Sequence, residues 1–242
     1  MARFARTATD AGAGLIVLAD TVGAQLPDDC GRMFAQVRSA AGEDVVLASH
    51  LHNDLGLAPA NTLQALSAGV RVVASSWLGI AERAGMVATE QLLFLLARHP
   101  DRFLDGDATP WWTAPGLTRL PGIARMVAAA TGVPLSVTTP IVGTGVGAIS
   151  TGTPFVHPEL FQPFDPHGVL GIEPHVLLTQ LASARVVTAV AARLGHTLDG
   201  DQARAAMSWA KARAFRTGRA VIEDAAFADY LDGLTRATSS TS

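Results

Sequence analysis

From residue 1 to about residue 98, helix-period segments alternate with short runs rich in valine, isoleucine and leucine. A chain patterned this way builds βα units around a parallel sheet, because strands that are apolar throughout must be covered on both faces. Three units are legible. The first pairs a helix ending near Ala11 to Gly14 with the strand Leu15–Asp20, and the second pairs a helix after Pro27 with a strand over residues 44–49. The third has a helix over 59–68 closed by Gly69, a strand over 70–77 and a following helix over 87–98.

Beyond residue 98 the pattern changes. Asp105, Gly106, Asp107, Pro110, Trp111, Trp112 and Pro115 crowd into one stretch, which reads as a linker. A helix is expected over 117–130, a glycine- and proline-rich stretch over 133–166, and helices near 175–194, 201–216 and 222–231. The expected division is a partial barrel over 1–100, linker and helix over 101–142, a helical subdomain over 143–235, and a disordered tail over 236–242. Three βα units do not close a barrel of eight strands. Either the sheet is a small open one or the missing strands come from another chain; open apolar edges invite aggregation, which favours a partner chain.

Composition narrows the function classes. With 49% hydrophobic and 16% charged residues among 242, the chain can bury a sizeable core. A net charge of -3 argues against a strongly basic footprint for nucleic acid while leaving room for a local anion-binding patch. The single cysteine, Cys30, suits a reducing compartment, and no apolar run is long enough for a membrane span or a signal peptide. A cytoplasmic protein acting on small molecules is expected.

The sharpest chemical signal is Ser49-His50-Leu51-His52-Asn53-Asp54 at the end of the second strand. Side chains alternate along a strand, so His50 and His52 share a face. Two imidazoles so placed either chelate one divalent ion or are simply polar strand-end residues; the spacing alone allows both. The neighbouring strands also end in polar segments: Ala19-Asp20-Thr21-Val22-Gly23 on the first, and Gly79-Ile80-Ala81-Glu82-Arg83-Ala84-Gly85 after the third.

In order and spacing, these three motifs resemble the last three strand ends of the barrel in homocitrate, isopropylmalate and citramalate synthases, members of the DRE-TIM metallolyase superfamily. Pro140-Ile141-Val142-Gly143 and Pro163-Phe164-Asp165-Pro166 with Gly171 are similar to the segment that forms those synthases' small covering subdomain. The implied fold is α/β: the carboxyl-terminal portion of a TIM barrel, about three βα units, followed by a mainly helical subdomain.

The resemblance also implies chemistry. His50 and His52 would bind a divalent cation (magnesium, manganese or zinc) together with an acidic residue from the barrel's first strand. Thr21 would hold the carboxylate of a small 2-oxo acid, with Asn53 beside it on the substrate, and Glu82 and Arg83 would order the rim by ion pairing. The implied reaction is a Claisen-type condensation in which the enolate of acetyl-CoA attacks the polarised ketone and the thioester is then hydrolysed.

This sequence departs from the pattern in telling places. It has no Arg-Asp-Gly segment of the kind that gives the synthases a ketone-polarising arginine and a metal carboxylate, so a complementary subunit is expected to supply the amino-terminal strands. Where the synthases carry His-x-Ser-Gly-x-His, this chain has Ile149 and Pro154 at the histidine positions; His157 and His167 are the available substitutes. These losses leave a catalytically inactive or regulatory homologue as an alternative, and a metal-dependent aldolase or lyase as another.

Overall fold

The computed structural model describes residues 1–104, 114–152 and 157–239, so Trp111, Trp112, Pro154 and the last three residues lie outside it. The chain divides into two compact units, Met1–Gly143 and Thr144–Ser242.

The first unit opens with α1 (Ala2–Asp10), β1 (Leu15–Asp20), α2 (Pro27–Ala41), β2 (Val46–Leu51), α3 (Ala58–Ser67), β3 (Val70–Val73) and α4 (Thr89–Arg98). Local chemistry sets these limits. Pro27 occupies the first turn of α2, Asp28 and Asp29 face the positive end of its dipole, Arg38 sits in the last turn, and Gly42 stops it at a positive φ. The strands form a parallel sheet in the order β1-β2-β3. β3 ends at Val73, short of Trp77, because Trp77–Gly79 folds into a 3₁₀ turn. Two single-turn helices, α5 (Pro100–Phe103) and α6 (Ala114–Leu117), and the longer α7 (Leu120–Thr131) follow.

The two faces of this sheet differ sharply. Ile16, Leu18, Leu47, Leu51 and Val70 pack with Cys30, Phe34 and Val37 of α2 and Ala65 of α3 into one core. The ladder pairs Leu15 with Val46, Val17 with Ala48, Ala19 with His50 and Ala48 with Val72, which puts these residues on the opposite face. There Leu15, Val17, Val46 and Val72 are 47%, 55%, 39% and 45% exposed. A parallel sheet is ordinarily covered on both sides, and here one side is apolar and open.

Cys30 is fully buried, its Sγ 3.5 Å from the Asn61 carbonyl oxygen. Burial, with the Asp20 charge adding to it, pushes its thiol up to about 11. Roughly one thiol in a thousand is then thiolate at pH 8. We expect an aromatic disulfide reagent to titrate no thiol in the native chain at pH 8 and one equivalent after denaturation. Rapid stoichiometric labelling of the native chain would contradict this packing.

The second unit has a two-stranded parallel ladder, β4 (Ala148–Ile149) with β5 (His175–Val176), and the helices α8 (Pro166–Leu170), α9 (Ala184–Arg193), α10 (Gly200–Thr217) and α11 (Asp224–Ser239). The helix expected over 175–194 begins only at Ala184, where the Ser183 side chain caps it. Asp199 and Gln202 form a reciprocal capping box on α10. Val186, Val187, Val190, Ala206, Ala210, Phe227 and Leu231 form the core. The last helix continues to Ser239, past Thr235, where fraying was expected.

Candidate metal centre at the strand-end rim

The polar segments of the first unit meet at the carboxyl ends of β1 and β2 and the turn after β3. His50 closes the open face of β2, and His52 follows in a bridge to Met86. Their Nε2 atoms lie 3.2 Å apart. Two imidazole nitrogens each about 2.0–2.1 Å from one ion can sit at such a separation, so the pair fits a shared divalent cation. Two ligands do not complete a site. Among the described residues no group of three His, Cys, Asp or Glu side chains is placed to hold a metal.

The two nearby aspartates are committed elsewhere. Asp20 is turned toward the helices, where its Oδ2 accepts the Gln25 backbone N–H at 2.9 Å. Asp54 takes both arms of Arg83, which donates from Nε to Oδ1 at 2.8 Å and from Nη2 to Oδ2 at 3.0 Å. That hydrogen-bonded guanidinium holds the Asp54 carboxyl below the usual range. Glu82 is largely exposed and lies 3.5 Å from Arg83 Nη1.

Thr21 enters through its backbone. Its carbonyl oxygen accepts Arg83 Nη2–H at 2.7 Å and lies 2.9 Å from His52 Nδ1. Arg83 Nη2 is itself 2.6 Å from that Nδ1. A carbonyl only accepts and a guanidinium only donates, so the two neighbours favour opposite tautomers of His52. The proton belongs on Nδ1 if Thr21 wins, and only that tautomer leaves Nε2 free for a cation.

Asn53 is partly used by the fold: its Oδ1 accepts the Ala58 N–H at 3.0 Å, and its backbone N–H donates to the Gly85 carbonyl at 2.8 Å. Gly23 is obligatory here, since its φ is 63° and a Cβ would stand 2.7 Å from the Asp54 backbone nitrogen. His157 lies in the second unit, exposed, 3.3 Å from Glu159 Oε1, and His167 pairs with Glu173 at 2.9 Å.

Sequence reasoning missed Glu90. It is wholly buried on α4, its Oε2 accepts the Leu78 N–H at 3.0 Å, and its Oε1 has no hydrogen-bond partner among the described residues. Burial pushes its carboxyl up, toward the neutral form. With Asn53, Met86, Gln91, Thr139 and Pro140 it lines a cavity of about 290 Å³. The available signal was an acid on the core-facing side of an otherwise apolar helix, which at a helix start is easily read as a dipole partner.

Comparison with known proteins identifies the family. The 2-isopropylmalate synthase of Acidimicrobium ferrooxidans is 32% identical over 206 residues, covering 82% of this chain and 38% of the relative. The 2-phosphonomethylmalate synthase of Streptomyces rubellomurinus is 38% identical over 178 residues, covering 72% of this chain and 45% of the relative. The hydroxymethylglutaryl-CoA lyase of Pseudomonas aeruginosa is a structural neighbour at 26% identity and a TM-score of 0.43, covering 55% of this chain and 43% of that one. The chain thus spans less than half the length of these relatives. The HMGL-like family model matches residues 1–127, which hold the whole rim, and the chain belongs to the HMGL-like family.

Proposed function

We propose that this chain contributes the last three strand ends of a metal-dependent acyl-CoA:2-oxo acid condensing enzyme, an acyltransferase whose remaining barrel strands come from a complementary polypeptide. The observation that carries the reading is the pair of Nε2 atoms 3.2 Å apart on the open apolar face of a parallel sheet. The names of two relatives, 2-isopropylmalate synthase and 2-phosphonomethylmalate synthase, support a condensation over a cleavage.

In this reading His50 and His52 hold a magnesium, manganese or zinc ion, and the complementary polypeptide adds the carboxylate ligand. When bound, the ion supplies the Lewis acidity that a ketone needs to accept a carbon nucleophile. The Thr21 carbonyl keeps the His52 ring in its ligating tautomer. The Thr21 side chain and the amide nitrogen of Asn53 face the carboxylate of the 2-oxo acid, and acetyl-CoA is the acyl donor. Arg83, fixed by Asp54, ties the third strand end to the first two, and Glu82 adds to the charge at its outer edge.

One observation favours a second reading, a non-catalytic homologue. Ile149, where the synthases carry a histidine, is a paired strand residue, and the substitute His157 is bound to Glu159. A thiol-release assay separates the two. Acetyl-CoA and a panel of 2-oxo acids are offered to this chain, to a complementary barrel half, and to both together with a divalent ion. Free CoA only from the mixture is expected. Association of the halves without CoA release from any 2-oxo acid would overturn the condensing reading in favour of the second.

A further inference from the structure

The residues from Trp77 to Met86 form a closed and strained loop. Leu78 and Arg83 adopt left-handed backbone conformations, φ 56° and 54°, which are costly for side chains of this kind. The Ser76 N–H donates to the Val87 carbonyl at 3.2 Å, which encloses both left-handed residues, and within that span the Met86 N–H donates to the Gly79 carbonyl at 3.0 Å, which closes a tighter ring around Arg83. From this ring Arg83 reaches His52, Thr21 and Asp54. At its other end the Leu78 N–H would be orphaned inside the protein but for the side chain of Glu90.

We propose that Glu90 is the positioning residue of this loop: its buried carboxyl, by accepting the Leu78 N–H, holds the left-handed turn and thereby aims Arg83 at Asp54 and the Thr21 carbonyl, the contacts that tie the third strand end to the first two. The role rests on the proposed metal-dependent condensation for its consequence, but not for its geometry. A buried acid with one oxygen unpaired among the described residues is a standing cost, and the rest of α4's buried face is apolar: Leu92, Phe94 and Leu96. A leucine at this position would pack without that cost, so the hydrogen bond to Leu78 is what the acid contributes. Burial favours the neutral carboxyl, so glutamine, which offers an acceptor oxygen of the same reach, is a close substitute.

The test follows the Arg83 Nε–H nitrogen-15 NMR signal in the full chain, assigned by its loss in Arg83→Lys. Wild type and Glu90→Gln are expected to show one slowly exchanging signal, since Nε–H is held by Asp54 at 2.8 Å. Glu90→Ala is expected to lose it, with the far-ultraviolet spectrum unchanged, and Glu90→Asp, one methylene short, to broaden it. In the assembled enzyme Glu90→Ala should release CoA ~10–100-fold more slowly, the range for loss of an orienting partner, with Glu90→Gln near wild type. An unchanged Arg83 signal in Glu90→Ala, or its loss in Glu90→Gln, overturns the proposal. If Glu90→Ala does not fold, a sharp wild-type signal in Glu90→Asp overturns it. Wild-type mixtures that release no CoA, with the Glu90–Arg83 coupling intact, would sink the condensing reading and leave this one standing.

Discussion

His50→Ala and His52→Ala are each expected to abolish divalent-cation binding by the assembled protein and to lower CoA release by more than the ~10–100-fold that loss of an orienting group costs. The expectation follows from how few ligands the chain offers. Its rim presents two imidazoles and no third ligating side chain among the described residues, so removing either one leaves a single nitrogen and whatever the complementary strands add. The two variants should differ in one respect. His52 is 8% exposed and its ring is fastened to the Thr21 carbonyl, so its loss also frees Arg83 from one of its neighbours; among the described residues His50 has a polar contact only with His52. Titration calorimetry with zinc and manganese on the assembled wild type and both variants gives the binding, and the thiol assay gives the rate. Full metal occupancy in both alanine variants would show that the ion is held by other residues.

Much of this site was legible because it sits where a parallel sheet always exposes its polar groups, at the carboxyl ends of the strands. His50 and His52 were recoverable from a period of two, and Asp20, Thr21 and the Glu82-Arg83 pair from their places after apolar runs. The first two strands followed from their apolar runs, the first at its observed limits and the second shifted by two residues. What stayed hidden depended on backbone geometry rather than residue type. Nothing in the run over 70–77 says that the strand gives way at Val73, since that follows from a turn whose Leu78 takes a left-handed conformation unusual for leucine. The committed partners of Asp20 and Asp54 were equally out of reach. An aspartate near a histidine reads as a third ligand until the Gln25 N–H and Arg83 are seen to hold the two carboxylates. Glu90 was missed for the same reason: its function lies in a hydrogen bond to a residue twelve positions away on the far side of a loop.

The same loop makes Gly85→Ala the most destructive small substitution expected at the rim. Gly85 has φ 84°, and a Cβ there would stand 2.0 Å from the Gly79 carbonyl oxygen and 3.1 Å from its carbon. Backbone meets backbone, so no rotamer relieves the clash, and the ring must open. Opening it sacrifices the Met86-to-Gly79 and Asn53-to-Gly85 hydrogen bonds together, the second of which ties this loop to the histidine strand. A left-handed alanine with two lost buried bonds costs about 3 kcal/mol or more. At about 3 °C per kcal/mol for a unit of this size, the melting temperature should fall by ~10 °C. Gly132→Ala is the matched control: it is also left-handed, at φ 73°, but a Cβ there meets nothing within 4 Å, so only the conformational cost of about 1 kcal/mol applies. If the two variants melt within a degree or two of each other, the loop does not close as described. In that case the path from Glu90 through Leu78 to Arg83 loses its framework as well. If Gly85→Ala melts far lower and its surviving folded fraction has also lost the Arg83 signal, the loop is both a structural closure and the support on which the rim's geometry stands.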